Sequence, residues 1–322
     1  MKTRGSNSDT GLLFVRDDFR SCVSETTVSP EIFASYGRAE YRRTPWWLWW
    51  NVLSLDAPIV AVVWAALFAR ASGRKLSAAE AIALILSVWI IYLSDRLLDG
   101  YRARNRAALQ ARHLFCERHR STMVFLILAA GAALLWIISN HLQGGEITAG
   151  VKLGIILILY MAGIHSGSGR MAWLVPKEIS VGLLFALGTT LPLWTRGLGF
   201  ARNGFLPWAF FGSLCCLNCL SIECWENHHA LKGWIQMPHP LVRWADSRIH
   251  FISTFLAGGA LASWFFYNVR GASQFAWWAI SGAALLILVL NSLRTNFSSA
   301  ALRVLADVAL LVPALIALVV QL

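Results

Sequence analysis

The sequence predicts an all-α, polytopic membrane protein: nine transmembrane helices around a central cavity, preceded by a polar segment. Three observations carry that prediction. Of 322 residues, 57% are hydrophobic and 14% charged, where a soluble domain carries about 25% charged residues. Nine apolar stretches follow one another, each near the ~20 residues needed to cross a bilayer core. Lys and Arg are also distributed unevenly between the intervening loops. The net charge of +11 therefore reports membrane orientation and contact with anionic headgroups before any nucleic acid.

Residues 1–45 read as a polar, cytoplasmic N-terminal segment of mixed charge without a sustained helical period, and 46–322 as the nine-helix domain. No cleavable signal peptide is expected, because the first apolar run begins near Trp46. Arg38, Arg42 and Arg43 precede Trp46, Trp47, Trp49 and Trp50, a basic flank followed by an aromatic belt. The first span is expected over 49–68. It contains Asn51 and Asp56, which should face protein or water rather than lipid. The later spans are expected over 77–98, 122–140, 148–166, 176–195, 205–225, 247–267, 274–293 and 300–321. Gly-Ser-Gly at 167–169 closes the fourth, and Pro176 opens the fifth, where a missing N–H costs nothing.

With the N-terminus inside, segments 1–46, 96–121, 167–178, 226–248 and 294–303 hold 7, 7, 2, 3 and 2 Lys and Arg, and seven lie elsewhere. This threefold bias places the N-terminus in the cytoplasm and the C-terminus outside, in a membrane of the bacterial inner-membrane type. Cys215, Cys216, Cys219 and Cys224 fall in one apolar run and read as small hydrophobes. Cys216-x-x-Cys219 has no second pair at zinc spacing.

Chemistry is concentrated at two helix ends on the cytoplasmic side. The second span closes on Asp95-Arg-Leu-Leu-Asp99. Four residues of helix turn about 400°, so the two carboxylates share a face. Such a pair suits a hard divalent cation, Mg²⁺, which in turn holds a phosphate. The alternative is simple pairing with Arg96, Arg102 or other basic neighbours. The sixth span ends with Glu223 and Glu226 three apart, and Asn218 eight residues before Glu226 on roughly the same face. Two acidic ends at equivalent depth point to a shared cation and anion site, against pairing of Glu226 with Lys232 or Arg243. Arg102 and Arg104 open a loop dense in arginine. With Lys177 they are the candidates for a diphosphate, while most of the loop's other arginines anchor headgroups. Asn51 and Asn218 are candidate polar contacts to a substrate. His228, His229 and His239 read as interface residues.

These residues resemble the UbiA superfamily of membrane prenyltransferases. The first motif of that family runs Asn-Asp-x-x-Asp-x-x-x-Asp. Asp95-Arg96-Leu97-Leu98-Asp99 matches its second half, and Ile91 and Tyr92 stand where Asn and Asp lead it. Glu223 and Glu226 look like a compressed glutamate version of the second motif. The layout match covers about 47–321. The resemblance implies a UbiA-like fold and transfer of a prenyl group from an isoprenyl diphosphate to a lipophilic acceptor, aromatic or a quinone precursor. It implies Mg²⁺ on Asp95, Asp99, Glu223 and Glu226. Two other readings remain open. One is a non-catalytic UbiA-like protein that binds a lipid or a partner. The other is a CDP-alcohol phosphatidyltransferase, because Asp99-Gly-Tyr-Arg-Ala-Arg104 resembles the opening of that motif. Its later Gly, Asp and Asp positions are here His113, Glu117 and Ser121.

Overall fold

The computed structural model describes residues 49–102, 115, 118–165, 176–195, 205–230, 239–268 and 271–321. Among the described residues there are helices and turns and no strand. The α-helices are α1 Trp49–Val52, α2 Asp56–Ala71, α3 Ala78–Arg102, α4 Arg120–His141, α5 Gly144–His165, α6 Lys177–Thr195, α7 Phe205–Ala230, α8 Pro240–Asp246, α9 Ile249–Phe266, α10 Gln274–Ser292 and α11 Ser299–Val320. Among the described residues, all but α1, α2 and α8 are long and apolar enough to cross a membrane, which makes eight. The protein is a multi-pass membrane protein.

The difference from nine spans lies at the first one, where a 20-residue helix over 49–68 was expected. The chain instead breaks after Val52 and restarts at Asp56. Ser54 sits in the left-handed region, at φ 58°, which costs an L-residue about 1–2 kcal/mol. Buried polar groups hold the break in place. The Asn51 amide donates to the Asp56 carboxylate across it. Arg96 of α3 donates to the carbonyls of Asn51 and Val52, which would otherwise be orphaned at the end of α1. What remains, α2, has 16 residues. It is about 24 Å long at 1.5 Å per residue, against a hydrocarbon core of about 30 Å. Most of it is buried among neighbouring helices rather than exposed.

Three contacts fix its direction. Asp56 and Asp307 line one cleft, the Trp64 indole donates to the Leu310 carbonyl at 3.1 Å, and Arg70 donates to the Leu318 carbonyl at 3.3 Å. The pairings advance together along both chains, so α2 and α11 run parallel. α3 returns antiparallel, with the Trp89 indole donating to Leu53 O at 3.0 Å. It begins with a reciprocal cap: Glu80 N donates to Ser77 Oγ, and Ser77 N to Glu80 Oε2 at 2.7 Å.

Around α2 the core is aromatic and small by turns. Trp64 packs on Phe211 with ring centroids 4.6 Å apart, and Phe68 on Phe211 at 5.2 Å. α6 and α7 meet backbone to backbone at Gly182, where a Cβ would lie 2.6 Å from Cys216 N. Small residues allow such contact between membrane helices. The outermost helices are α4 and α5, whose Phe125, Leu128, Leu135, Ile158 and Leu159 are exposed, as expected for side chains facing lipid.

Candidate functional site

One end of the bundle gathers most of its polar groups, and cross-helix contacts show that they share that end. The end of α3 meets the start of α6, where Lys177 Nζ lies 3.3 Å from Asp95 Oδ2 and 3.5 Å from Asp99 Oδ2. The end of α7 meets the start of α11, where Arg303 Nε donates to Glu226 Oε1 at 2.7 Å and Nη2 donates to the same oxygen. Arg96 ties α3 to α1, and Asp56 brings the start of α2 to Asp307 on α11.

Asp95 and Asp99 thus stand together, one helical turn apart, with the Lys177 ammonium between them. All three side chains are partly exposed, at 28%, 34% and 42%. Glu226 is held by Arg303, and Glu223 accepts from Asn227 Nδ2 at 3.0 Å. Glu178, next to Lys177, lies within electrostatic range of Glu223, and its Oε2 is buried without a hydrogen-bond partner. Asn51 serves the α1–α2 break. Asn218 is buried, and its Oδ1 has no partner. Arg102 continues the backbone of α3, but its side chain, and all of Arg104, lie outside the described residues. The side chains of His228 and His229 lie outside them too, while His239 caps α8 by accepting from Leu241 N. The four cysteines of α7 are free thiols, and Cys224 donates to Val242 O at 3.4 Å.

Sequence reasoning passed over Arg303 and Asp307. They are four apart in the last apolar span and share a face. The available signal was the rule that ionisable groups inside a span are functional candidates by default. For Arg96 the sequence offered only pairing with the neighbouring aspartates, because a guanidinium serving the Asn51 and Val52 carbonyls leaves no local pattern.

Two cavities adjoin these groups. A cleft of about 450 Å³ opens between α1, α2 and α11, walled by Trp49, Trp50, Leu53, Val304, Val308 and Leu311, with Asp56 and Asp307 as its acidic members. Its volume lies in the usual range for small-molecule sites. A second, bordered by α2, α3, α6, α7 and α11, measures about 30 Å³ and is lined by Tyr92, Gly182, Asn218, Cys219 and Asp307 among others. Asp307 borders both.

The Asp95–Asp99 pair fits one Mg²⁺ chemically. It offers hard oxygen donors on one face, partly exposed, and Mg²⁺ needs only one or two carboxylates beside waters and phosphate. Lys177 competes for the same oxygens. The Glu223–Glu226 pair fits less well, since Arg303 already neutralises one member. Among the described residues no group of three or more His, Cys, Asp or Glu side chains is placed to hold a metal ion. Compared with known proteins, the chain matches no family model, no curated protein and no solved structure.

Proposed function

We propose that the protein binds an isoprenyl diphosphate at the cytoplasmic end of a UbiA-like bundle and transfers its prenyl group to a lipophilic acceptor. In this reading α2 acts as a ninth, shortened pass. The observation that carries the proposal is the presence, at one end of the bundle, of both a cation-filled carboxylate pair between α3 and α6 and a largely apolar cleft between α1, α2 and α11. Lys177 sits between Asp95 and Asp99 at 3.3 and 3.5 Å, and the cleft measures about 450 Å³. A prenyl diphosphate has these two halves: a charged head that needs cations and a chain that needs apolar walls.

Each residue then has a task. Asp95 and Asp99 would hold Mg²⁺, which when bound neutralises the charge that grows on the departing diphosphate. Lys177, displaced from the carboxylates, moves to the phosphate oxygens, a short swing for a flexible four-carbon stem. Arg102 and Arg104, which follow Asp99 in the sequence, would supply guanidinium groups to the head group. Trp49, Trp50, Val304 and Val308 exclude water from the chain. Arg303 fixes Glu226 and keeps that carboxylate from repelling the diphosphate.

The test is Mg²⁺-dependent transfer from a radiolabelled isoprenyl diphosphate into membrane lipids, with several chain lengths and acceptors. Asp99→Asn should lower transfer on the order of a hundredfold, the scale of losing one group that stabilises developing charge. Arg118→Ala, at an exposed position, should change it little. An Asp99→Asn protein as active as wild type would falsify the metal–diphosphate mechanism. The salt bridges that already occupy the acids favour a second reading, a non-catalytic protein binding a lipid diphosphate head. Saturable binding without turnover by any form would establish that one instead.

A further inference from the structure

We infer that the small inner cavity is a binding site for one univalent metal cation of the Na⁺ class, held inside the membrane domain by Asp307 and Asn218. The inference is separate from the prenyl-transfer reading and uses none of the residues placed at the Asp95–Asp99 mouth.

The cavity holds one occupant of water size, because about 30 Å³ is one water's share of the liquid. Its polar lining residues are oxygen-bearing Asp307, Asn218 and Tyr92, beside the thiols of Cys215 and Cys219. Asn218 is only 7% exposed, and its Oδ1 has no hydrogen-bond partner. An unpaired buried acceptor costs about 1–3 kcal/mol, so the protein retains here a group that a suitable occupant would satisfy. The Asp307 carboxyl lies within hydrogen-bonding reach of Asn218 and of Asp56, which places amide and carboxylate at one point.

Charge selects the occupant. The charged groups within electrostatic range of Tyr92 include Asp56, Asp307 and Arg96, which sum to one negative charge when both acids are ionised. Arg303, the next cation, is paired with Glu226. A single uncompensated charge among membrane helices is expensive, and one univalent cation removes it. A divalent ion would overshoot and would require more anionic ligands than the cavity offers. A water would donate to Asn218 Oδ1 and leave the charge. A proton shared by Asp56 and Asp307 would remove the charge and leave Asn218 Oδ1 unpaired. A small metal cation does both.

The experiment measures ²²Na⁺ binding to the full-length protein in detergent by equilibrium dialysis, with choline chloride holding ionic strength. Thermal unfolding is followed in the same two salts. Wild type should bind Na⁺ saturably with a stoichiometry of one per chain, and its Tm should rise with log [Na⁺] but not with choline. Asp307→Asn and Asn218→Leu should each abolish binding and the Tm response. Asp99→Asn should keep both. Should Asp307→Asn not fold, the wild-type isotherm and Asn218→Leu still decide. No saturable Na⁺ binding by wild type overturns the inference, as does binding that survives Asn218→Leu or disappears in Asp99→Asn.

Discussion

Lys177 is the residue on which the site turns. Its ammonium is held at 3.3 and 3.5 Å by two carboxylates of another helix, yet all three groups are partly exposed. In water-like surroundings an ion pair at that range contributes no more than about 1 kcal/mol. The clamp is therefore weak enough to exchange, and that weakness makes a test. Lys177→Gln should leave the fold intact and raise the affinity of Asp95–Asp99 for Mn²⁺, used as a spectroscopic probe for Mg²⁺, by roughly tenfold at most. Electron paramagnetic resonance titration reads this, and unchanged or weaker Mn²⁺ binding would separate Lys177 from the acid pair. Arg96 behaves oppositely because it is 5% exposed and serves two carbonyls. Arg96→Met strips buried acceptors of a charged donor. It should destabilise by about 2–4 kcal/mol, seen as a lower Tm. The fluorescence of Trp49 and Trp89 should change first, because both flank the α1–α2 break. Both roles show the limit of local reading. Asp95 and Asp99 stand out in the sequence because four residues of helix align them. Lys177, 82 residues away from Asp95, was visible as a basic residue at a helix start but not as their partner. Arg96 is adjacent to Asp95 in sequence, and its carbonyl partners depend on a chain break that no periodicity announces.

At the scale of the helix pair, the decisive contact is between α6 and α7. A methyl on Gly182 would fall within 2.6–2.9 Å of backbone atoms of Cys215 and Cys216, and backbone cannot swing aside as a side chain does. Gly182→Ala should force the helices apart, cost about 3 kcal/mol or more, and open the inner cavity that Gly182 lines. Gly150→Ala, with open space around it, should be neutral or stabilise α5 by about 0.5–1 kcal/mol. Unfolding of the two variants in mixed micelles compares them directly, and equal stabilities would refute the close approach. Most helices were legible for a simple reason. An apolar run near 20 residues has few alternatives in a membrane, and the observed α3 to α7 and α9 to α11 fall close to the expected spans. The first span was misjudged because hydropathy counts Trp, Val and Leu alike on both sides of a break. Asn51, Ser54 and Asp56 carry the break, and their effect lies in hydrogen bonds and one left-handed residue rather than in average polarity.

For the whole molecule, charge is segregated along the bundle. The polar groups of α1, α3, α6, α7 and α11 converge at one end, and a smaller set, Arg74 with Glu80 at 3.0 Å, closes the other end near the start of α3. Among the described residues the core between them is largely apolar, with buried polar side chains that include Asn218, Thr189, Thr190, Ser221, Ser253 and Ser281. Removing α11 should thus affect distant parts of the chain. A chain ending at residue 298 should leave Val60 and Trp64, now 0–3% exposed and set against α11, open to solvent or lipid. A cysteine at position 60 should then react with a membrane-permeant thiol reagent in the truncated chain and resist it in the full one. Equal reactivity would show that α2 is shielded without its C-terminal partner.

The parallel seating of α2 on α11 also sets an order of events during synthesis. Trp64 meets Leu310 and Arg70 meets Leu318, partners that leave the ribosome some 246 and 248 residues later. At roughly 5–20 residues per second the wait is on the order of 10–50 s. Throughout that interval a 16-residue helix, too short to anchor itself across a bilayer, carries Asp56 with no Asp307 to face. The nascent chain must shelter this helix against α3, or against an insertion factor, until the last helix arrives. α2 is in this sense made early and seated last.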